Sequence, residues 1–255
     1  MKKTSISVVG SGNVATHLAI ALHRSGATIR QILSRTFDHA HLLAMKVDAT
    51  PITRVDRLDE DVDVCLLCVD DDALYDLGLD LKLPHSLVIH TSGATPASVL
   101  KRISKRHGVM WSPQTFVRDI AMDYSKLPLC IEGCNPQVEE EIAELAARIS
   151  PCVYRLNLDK RRKAHLAAVM VCNFVNAINA TAQDLMEEAG LDFSMLRQLA
   201  EQTLRKWDYG DLWAQQTGPA RRGDEKTITE QRRMLAGQPQ LLQLYDQITQ
   251  LIQSR

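Results

Sequence analysis

A glycine-rich segment near the start of the chain constrains the fold more than any other feature. Residues 10–15, with the sequence GSGNVA, follow the short apolar stretch 6–9 and begin the helical pattern 14–25. Gly10 permits a tight turn, and Gly12 permits the backbone to approach a ligand closely. The free N–H groups at the start of the following helix can bind a phosphate. A strand, a G-x-G-x-x-A turn and a helix in this order predict a dinucleotide-binding turn rather than a plain tight turn.

Strand-like and helix-like segments alternate through the first 156 residues. The predicted strands are residues 6–9, 29–34, 62–69, 87–91, 108–111, 129–132 and 153–156. The predicted helices between them are residues 14–25, 39–45, 95–105 and 136–149. Thr95 and Asn135 each precede a proline, an arrangement typical of a capped helix start. This alternation predicts an α/β fold of the Rossmann type, with a mainly parallel sheet covered by helices on both faces.

The strand signals end at Leu156, and the rest of the chain reads as helical. The predicted helices are residues 160–189, 194–206, 225–236 and 239–253. We expect Asp159 and Asp224 to cap the first and third of these helices. The sequence therefore predicts two domains. They are an NADP-binding Rossmann-like domain at 1–156 and an all-helical domain for dimerisation and substrate binding at 157–255.

Composition narrows the classes of function. The chain has 30 Lys and Arg against 31 Asp and Glu, so a protein that mainly neutralises nucleic-acid phosphates is not expected. We expect no uncharged apolar stretch of the roughly 18 residues needed to span a membrane, and no signal peptide. These observations predict a soluble cytoplasmic protein that binds neither nucleic acid nor a membrane.

Cys65 and Cys68 have the C-x-x-C spacing of a metal or redox site, but they fall within the predicted strand 62–69. Residues three apart on a strand point to opposite faces, so these thiols cannot share an ion. We predict neither structural zinc nor a disulfide.

The end of the second strand determines which dinucleotide fits. NAD-specific sites usually have a carboxylate there, whereas this chain has Ser34, Arg35 and Thr36. A cation and two hydroxyls suit a 2′-phosphate, which favours NADP over NAD, although Asp38 lies close by in the sequence. The candidate cofactor contacts are Gly10, Ser11, Gly12, Asn13, Val14, Ser34, Arg35, Thr36, Val69, His90 and Ser92.

Four cations at residues 160–163 begin the long predicted helix, where the helix dipole disfavours positive charge. Either they form a solvated face or they neutralise an anion such as the cofactor phosphates.

Several motifs resemble those of known oxidoreductases. They are residues 10–15, 34–36, 90–93, 114–116, 165–169, 172–176 and 216–221. The chain resembles pyrroline-5-carboxylate reductase, deazaflavin-dependent NADP reductase and 6-phosphogluconate dehydrogenase. It more closely resembles a bacterial family of NADP oxidoreductases without an assigned reaction. That family joins a Rossmann-like domain to a helical C-terminal domain of unknown function. The resemblance implies nucleotide binding and a homodimer formed through the C-terminal helices.

One departure from the related hydroxyacid dehydrogenases bears on chemistry. Those enzymes have a lysine three or four residues before an asparagine on the long helix. If Asn173 is that asparagine, Met170 or Val169 replaces the lysine. His165, about two helical turns earlier, is then the candidate acid or base, with Asn173 beside it. The candidate substrate contacts are Gln114, Asn176, Gln216, Thr217 and Arg221, although the arginine is equally suited to a structural ion pair.

Two functions from different classes follow. The first is an NADP-dependent oxidoreductase that transfers a hydride to or from a small carbonyl or imine substrate in the cleft between the domains. The second is a non-catalytic NADP(H)-binding sensor or dimeric scaffold, which the missing lysine favours.

Overall fold

The computed structural model describes residues 3–255, and those residues form an eight-stranded sheet. Its strands are β1 (Ser5–Val9), β2 (Thr28–Leu33), β3 (Thr50–Ile52), β4 (Val64–Leu67), β5 (Leu87–His90), β6 (His107–Trp111), β7 (Leu129–Gly133) and β8 (Val153–Arg155). Their order is β3-β2-β1-β4-β5-β6-β7-β8, and only β6 and β7 pair in antiparallel orientation. The predicted α/β fold with a mainly parallel sheet is confirmed.

The seven predicted strands are all present, whereas the sequence analysis missed β3. This strand has three residues, lies at the edge of the sheet, and carries Pro51 in its centre. Proline cannot donate to a strand ladder and is tolerated at an edge, so the local pattern there does not resemble a strand.

The helices of the sheet region are α1 (Asn13–Arg24), α2 (Phe37–Ala44), α3 (Asp71–Asp80) and α4 (Pro136–Ala147). Asn135 caps α4 as predicted, because its side chain accepts a hydrogen bond from the Val138 N–H. The predicted helix at 95–105 is instead a 3-10 helix over Ala97–Arg102, and Thr95 does not cap it. The Thr95 carbonyl instead accepts a hydrogen bond from Arg161.

The apolar core lies in two layers, one on each face of the sheet. Cys65 is buried in one layer and Cys68 packs against the other, so the prediction that they point to opposite faces is confirmed. Burial raises the pKa of both thiols to about 12. Both cysteines therefore remain protonated and act as small core residues.

The C-terminal region is helical, as predicted. Its helices are α5 (Leu158–Glu188), α6 (Arg197–Arg205), α7 (Pro219–Arg222), α8 (Glu225–Met234) and α9 (Pro239–Gln253). Asp224 caps α8 as expected, since it accepts a hydrogen bond from the Thr227 N–H. Asn157, rather than Asp159, caps α5 by accepting from the Lys160 N–H, so that predicted cap is wrong.

Contacts within the chain define two compact units, one ending at Ile178 and the other covering Asn179–Arg255. The proposed boundary at residue 156 follows the change from strands to helices. It remains a prediction about domain organisation, because the first two thirds of α5, up to Ile178, belong to the unit that contains the sheet.

Helix α5 is long and apolar enough to cross a membrane, judged by length and composition alone, with a mean hydropathy of 1.3. The expectation that no uncharged stretch of this length exists is therefore wrong, since residues 166–183 contain no Asp, Glu, Lys or Arg. Three asparagines nevertheless interrupt this stretch, at positions 173, 176 and 179. Such groups are costly in a bilayer unless they are hydrogen-bonded.

Arg161 connects the start of α5 to the sheet. Its side chain is completely buried and donates to the Glu132 carboxylate at 3.0 Å and to the Thr95 carbonyl at 2.7 Å. Arg162 donates to the neighbouring Ala94 carbonyl at 2.9 Å. Arg161 therefore does not belong to a solvated face, whereas the exposed Arg162 does, and binding of an anion by this basic run remains a prediction.

We expect Arg161→Ala to lower the free energy of unfolding by about 3 kcal/mol, because it leaves Glu132 and the Thr95 carbonyl without their buried partner. Lys163→Ala is the matched control, since Lys163 is an exposed cation of the same helical turn. It should cost less than about 0.5 kcal/mol. Urea denaturation of both variants tests this, and equal losses would contradict the assignment.

Candidate functional site

Four neighbouring parallel strands, β1, β4, β5 and β6, end at the same edge of the sheet. In open α/β sheets, ligands bind outside the carboxyl ends of the strands. The segments that follow these strands therefore define the candidate site. They are residues 10–12, 68–70, 91–95 and 112–118.

The glycine turn after β1 has the backbone geometry that a phosphate site needs. Gly10 has φ +112°, and a Cβ there would lie 2.2 Å from the Cys68 carbonyl oxygen. Gly12 is the N-cap of α1, and a Cβ there would meet nothing within 4 Å. The first turn of α1 contains no acidic residue. The helix therefore presents free N–H groups and open space to an anion, and the residues fit a dinucleotide pyrophosphate.

The end of β2 adjoins this turn. The hydroxyls of Ser11 and Ser34 lie 2.7 Å apart, which connects the two segments directly. Arg35 is exposed and forms no ion pair with any described residue. Thr36 is the N-cap of α2, but its side chain makes no capping hydrogen bond. Arg35 and the Thr36 hydroxyl thus remain available beside the turn, and they fit the 2′-phosphate of NADP.

His90 and Ser92, two predicted cofactor contacts, are joined to each other and to the backbone after β5 by hydrogen bonds. His90 is completely buried, and its Nδ1 accepts from the Ser92 N–H. Burial, and secondarily the charge of Arg161, lowers the pKa of His90 to about 4, so it is neutral at pH 7. The Ser92 hydroxyl accepts from the N–H groups of Ala94 and Thr95. His90 Nε2 is also buried and has no hydrogen-bond partner among the described residues. Contact of His90 and Ser92 with the cofactor remains a prediction.

Val69 follows β4, and its side chain packs against one core layer. Asn13 and Val14 form the first turn of α1, where Asn13 is exposed. Their contact with a cofactor remains a prediction.

His165 lies at the carboxyl edge, between the segment that follows β5 and the end of β6. Its ring packs edge-on against Trp111, with 5.6 Å between ring centroids and an interplanar angle of 86°. A Cβ on Gly93 would lie 2.9 Å from the His165 ring and 2.9 Å from Trp111. Gly93 therefore makes the room in which the imidazole sits. The ring is half-buried, so it is fixed and still accessible to solvent.

A π-helical segment, Val169–Phe174, interrupts α5 after His165. In a regular α-helix, residues eight apart do not share a face, so Asn173 would lie away from the side that carries His165. Residues eleven apart nearly share a face, so Asn176 would lie on that side. The wider π turn has more residues per turn, which rotates Asn173 toward that face and Asn176 away from it. Both side chains are exposed. The action of Asn173 or Asn176 together with His165 remains a prediction.

Gln114, a predicted substrate contact, is exposed in the segment after β6 and lines a cavity of about 370 Å³. Thr115 also lines this cavity, and its hydroxyl lies 3.0 Å from the Cys172 thiol in the π-helical segment. His165 does not line the cavity.

The remaining predicted substrate contacts, Gln216, Thr217 and Arg221, belong to the second unit and stay predictions. Within that unit, Arg221 donates to the Arg255 carbonyl at 2.5 Å rather than to Asp224. Gln216 donates to the backbone carbonyl of Thr217.

Sequence reasoning missed three contributors to this edge: Trp111, Arg161 and Arg118. Arg118 donates to the Ser11 carbonyl of the glycine turn at 2.8 Å. The one signal for Arg118 was its place in the segment after β6, at the edge where ligands collect.

Two family models match the chain. A Rossmann-like domain matches residues 1–112, and a domain of unknown function, DUF2520, matches residues 127–252. A crystal structure from Bacteroides fragilis, of a protein provisionally named NADP oxidoreductase BF3122, is 33% identical with a TM-score of 0.92. The alignment covers 99% of each chain. The chain belongs to the BF3122 family. No curated protein matches the sequence.

Two more distant solved structures share the fold of this BF3122-family chain. A reductive aminase from Aspergillus terreus, in complex with NADPH and ethyl-5-oxohexanoate, is 14% identical with a TM-score of 0.73, covering 99% of this chain and 93% of its own. A pyrroline-5-carboxylate reductase from Coxiella burnetii is 16% identical with a TM-score of 0.57, covering 100% and 97%. The predicted resemblance to such reductases is confirmed at the level of the fold.

The two glycines of the turn should respond differently to substitution. Gly10→Ala should cost at least about 2 kcal/mol of stability, because alanine is strained at φ +112° and its Cβ would meet the Cys68 carbonyl. Gly12→Ala should cost less than about 1 kcal/mol, because the site is open and the change affects only an N-cap. Thermal and urea unfolding measure both changes. A larger loss for Gly12→Ala would show that the turn is wrongly described.

Proposed function

We propose that this BF3122-family chain is an NADP-dependent oxidoreductase that transfers a hydride to or from a small carbonyl or imine substrate. The observation that carries the proposal is the half-buried His165, packed on Gly93 and Trp111 at the sheet edge that also bears the glycine turn. An ionisable side chain is thereby fixed close to a dinucleotide-binding motif. The name of BF3122, an NADP oxidoreductase, supports the same class of reaction.

The cofactor proposal rests on the glycine turn and the end of β2. Gly10 and Gly12 would let the pyrophosphate approach the N-terminus of α1, and Arg35 would bind the 2′-phosphate. Because no carboxylate occupies the end of β2, a 2′-phosphate meets no repulsion there and NADP is preferred to NAD. When bound, the cofactor supplies or accepts the hydride.

His165 would hold the proton that the reaction needs. In the reductive direction, its protonated imidazole donates to the substrate oxygen as the carbonyl carbon gains a hydride, and the product is an alcohol. Asn173 would orient the substrate by a hydrogen bond. Met170 or Val169 occupies the place of the lysine found in hydroxyacid dehydrogenases, so no lysine at that position can protonate a substrate oxygen beside His165. That favours an imine, which is already protonated when it accepts a hydride.

Replacing His165 with Asn should lower NADPH-dependent turnover of cyclohexanone by about 100-fold, because the proton donor is lost. Turnover of 1-pyrroline, which is protonated before reduction, should fall much less. NADPH affinity should be unchanged, because the histidine does not hold phosphate. Loss of NADPH absorbance measures the rates, with the exposed His41→Asn variant as control.

Unchanged turnover of both probes by the His165→Asn variant would remove this histidine from the mechanism. Tight NADPH binding by the wild-type protein without turnover of any carbonyl or imine would favour the non-catalytic sensor instead.

The C-terminal helices further support a homodimer. Within 179–255, all of it described, Ile228 and Leu235 are the only buried residues. Along α5, the side chains of Leu166, Met170, Phe174 and Ile178 recur every four residues and are 43–60% exposed. An apolar surface of this extent normally marks a protein interface. We take a second copy of this soluble chain as its partner, because the asparagines within α5 suit a packed interface better than a bilayer.

Phe174→Glu should convert the dimer to monomer, since it places a charge in the middle of this interface. Tyr75→Glu is the matched control, because Tyr75 on α3 is 55% exposed and Phe174 is 53% exposed. Light scattering at micromolar concentration measures the mass. A monomeric wild-type protein, or one that sediments with lipid vesicles, would contradict the dimer.

A further inference from the structure

The segment that follows β6 crosses the carboxyl edge and returns to α1. His17 on α1 is buried, and its Nε2 lies 2.8 Å from the Val117 carbonyl. Its Nδ1 lies 3.0 Å from the Tyr124 hydroxyl, and its ring packs on Phe116. These contacts hold the segment against the helix whose N-terminus carries the glycine turn.

Arg118 extends from this fixed segment to the glycine turn itself. Its Nη2 donates to the carbonyl of Ser11, which lies between Gly10 and Gly12. Its Nε is buried and has no hydrogen-bond partner. No described carboxylate lies within ion-pair distance of Arg118. A guanidinium that is partly withdrawn from water, bonded to one neutral carbonyl and left with a buried unpaired donor is poorly compensated.

Resting on the proposed function, we infer that Arg118 is a binding residue for the pyrophosphate of the dinucleotide. An anion at the N-terminus of α1 would supply the counter-charge that Arg118 lacks, and its oxygens match the fork of guanidinium donors. The inference concerns a residue outside the glycine motif, on a segment three strands away from it in the sheet.

The position of Arg118 indicates that it binds the pyrophosphate rather than the 2′-phosphate. Its hydrogen bond is to the backbone of the turn, adjacent to Gly12, where the pyrophosphate of such sites lies. Arg35 is at the end of β2, where the adenosine ribose of such sites lies. Arg118 would therefore bind the pyrophosphate, and Arg35 would bind the 2′-phosphate.

The rival role for Arg118 is structural, as a hydrogen bond that holds the segment after β6 on the glycine turn. Arg118→Gln separates the two roles, because glutamine keeps an N–H donor for the Ser11 carbonyl and removes the charge. Arg35→Gln is the corresponding variant at the 2′-phosphate, and its effect is compared with that of Arg118→Gln. Arg57→Gln, at an exposed arginine elsewhere in the same unit, is the control.

Fluorescence or calorimetric titration of the full-length variants with NADPH, NADH and ADP-ribose tests the inference. All three ligands carry the pyrophosphate, and only NADPH carries the 2′-phosphate. Arg118→Gln should weaken the binding of all three by about tenfold and make binding less sensitive to ionic strength. Arg35→Gln should weaken NADPH alone, and Arg57→Gln should change nothing.

Wild-type affinity in the Arg118→Gln variant would overturn the inference while leaving the proposed function intact. A weakened affinity with unchanged salt dependence and a lower melting temperature would also overturn it, in favour of the structural role. If the wild-type protein bound none of the three ligands, the proposed function itself would fail. These results are distinguishable from one another.

Discussion

The buried guanidinium of Arg161 is the interaction on which the candidate site depends. It joins the first turn of α5 to Glu132 on β7 and to the Thr95 carbonyl after β5, while Arg162 holds the adjacent Ala94 carbonyl. One helical turn later, His165 meets Gly93 in the same segment. A helix that began elsewhere would not bring an ionisable ring to the carboxyl edge of the sheet. Burial raises the pKa of Glu132, and the positive charge of Arg161 opposes that shift, so each partner limits the cost of burying the other.

Much of the fold could be predicted because its signals are local. Apolar runs bounded by turns identified seven strands, and Asn135 and Asp224 identified two helix starts, since a cap needs only residues close in sequence. The errors at Arg161 and Thr95 arose because the deciding contact is distant. Four consecutive cations at 160–163 look solvated, and nothing near them in the sequence shows that Glu132 and Thr95 will bury Arg161. The hydrogen bond from Arg161 to the Thr95 carbonyl likewise joins residues 66 positions apart.

Parts of the candidate site could also be predicted from local sequence, and other parts depended on distant contacts. The glycine turn and the end of β2 were found from pattern, since each places its chemistry within a few residues of a strand end. His165 was found because a polar residue stands out on an apolar helix, but its setting against Gly93 and Trp111 required the tertiary fold. For His90, the sequence shows that it ends a strand and not that its side chain is buried. Arg118 had no local motif, and its hydrogen bond to Ser11 connects residues 107 positions apart.

Titration of the purified protein with NADPH and, separately, with NADH tests the central claim most directly. Trp111 adjoins His165 at the carboxyl edge, so quenching of the fluorescence of Trp111 reports on binding there. The account predicts micromolar binding of NADPH and binding of NADH at least about tenfold weaker, because Arg35 pairs with the 2′-phosphate. Equal or tighter binding of NADH would contradict the assignment of Ser34, Arg35 and Thr36. The absence of binding by either nucleotide would contradict the dinucleotide site itself.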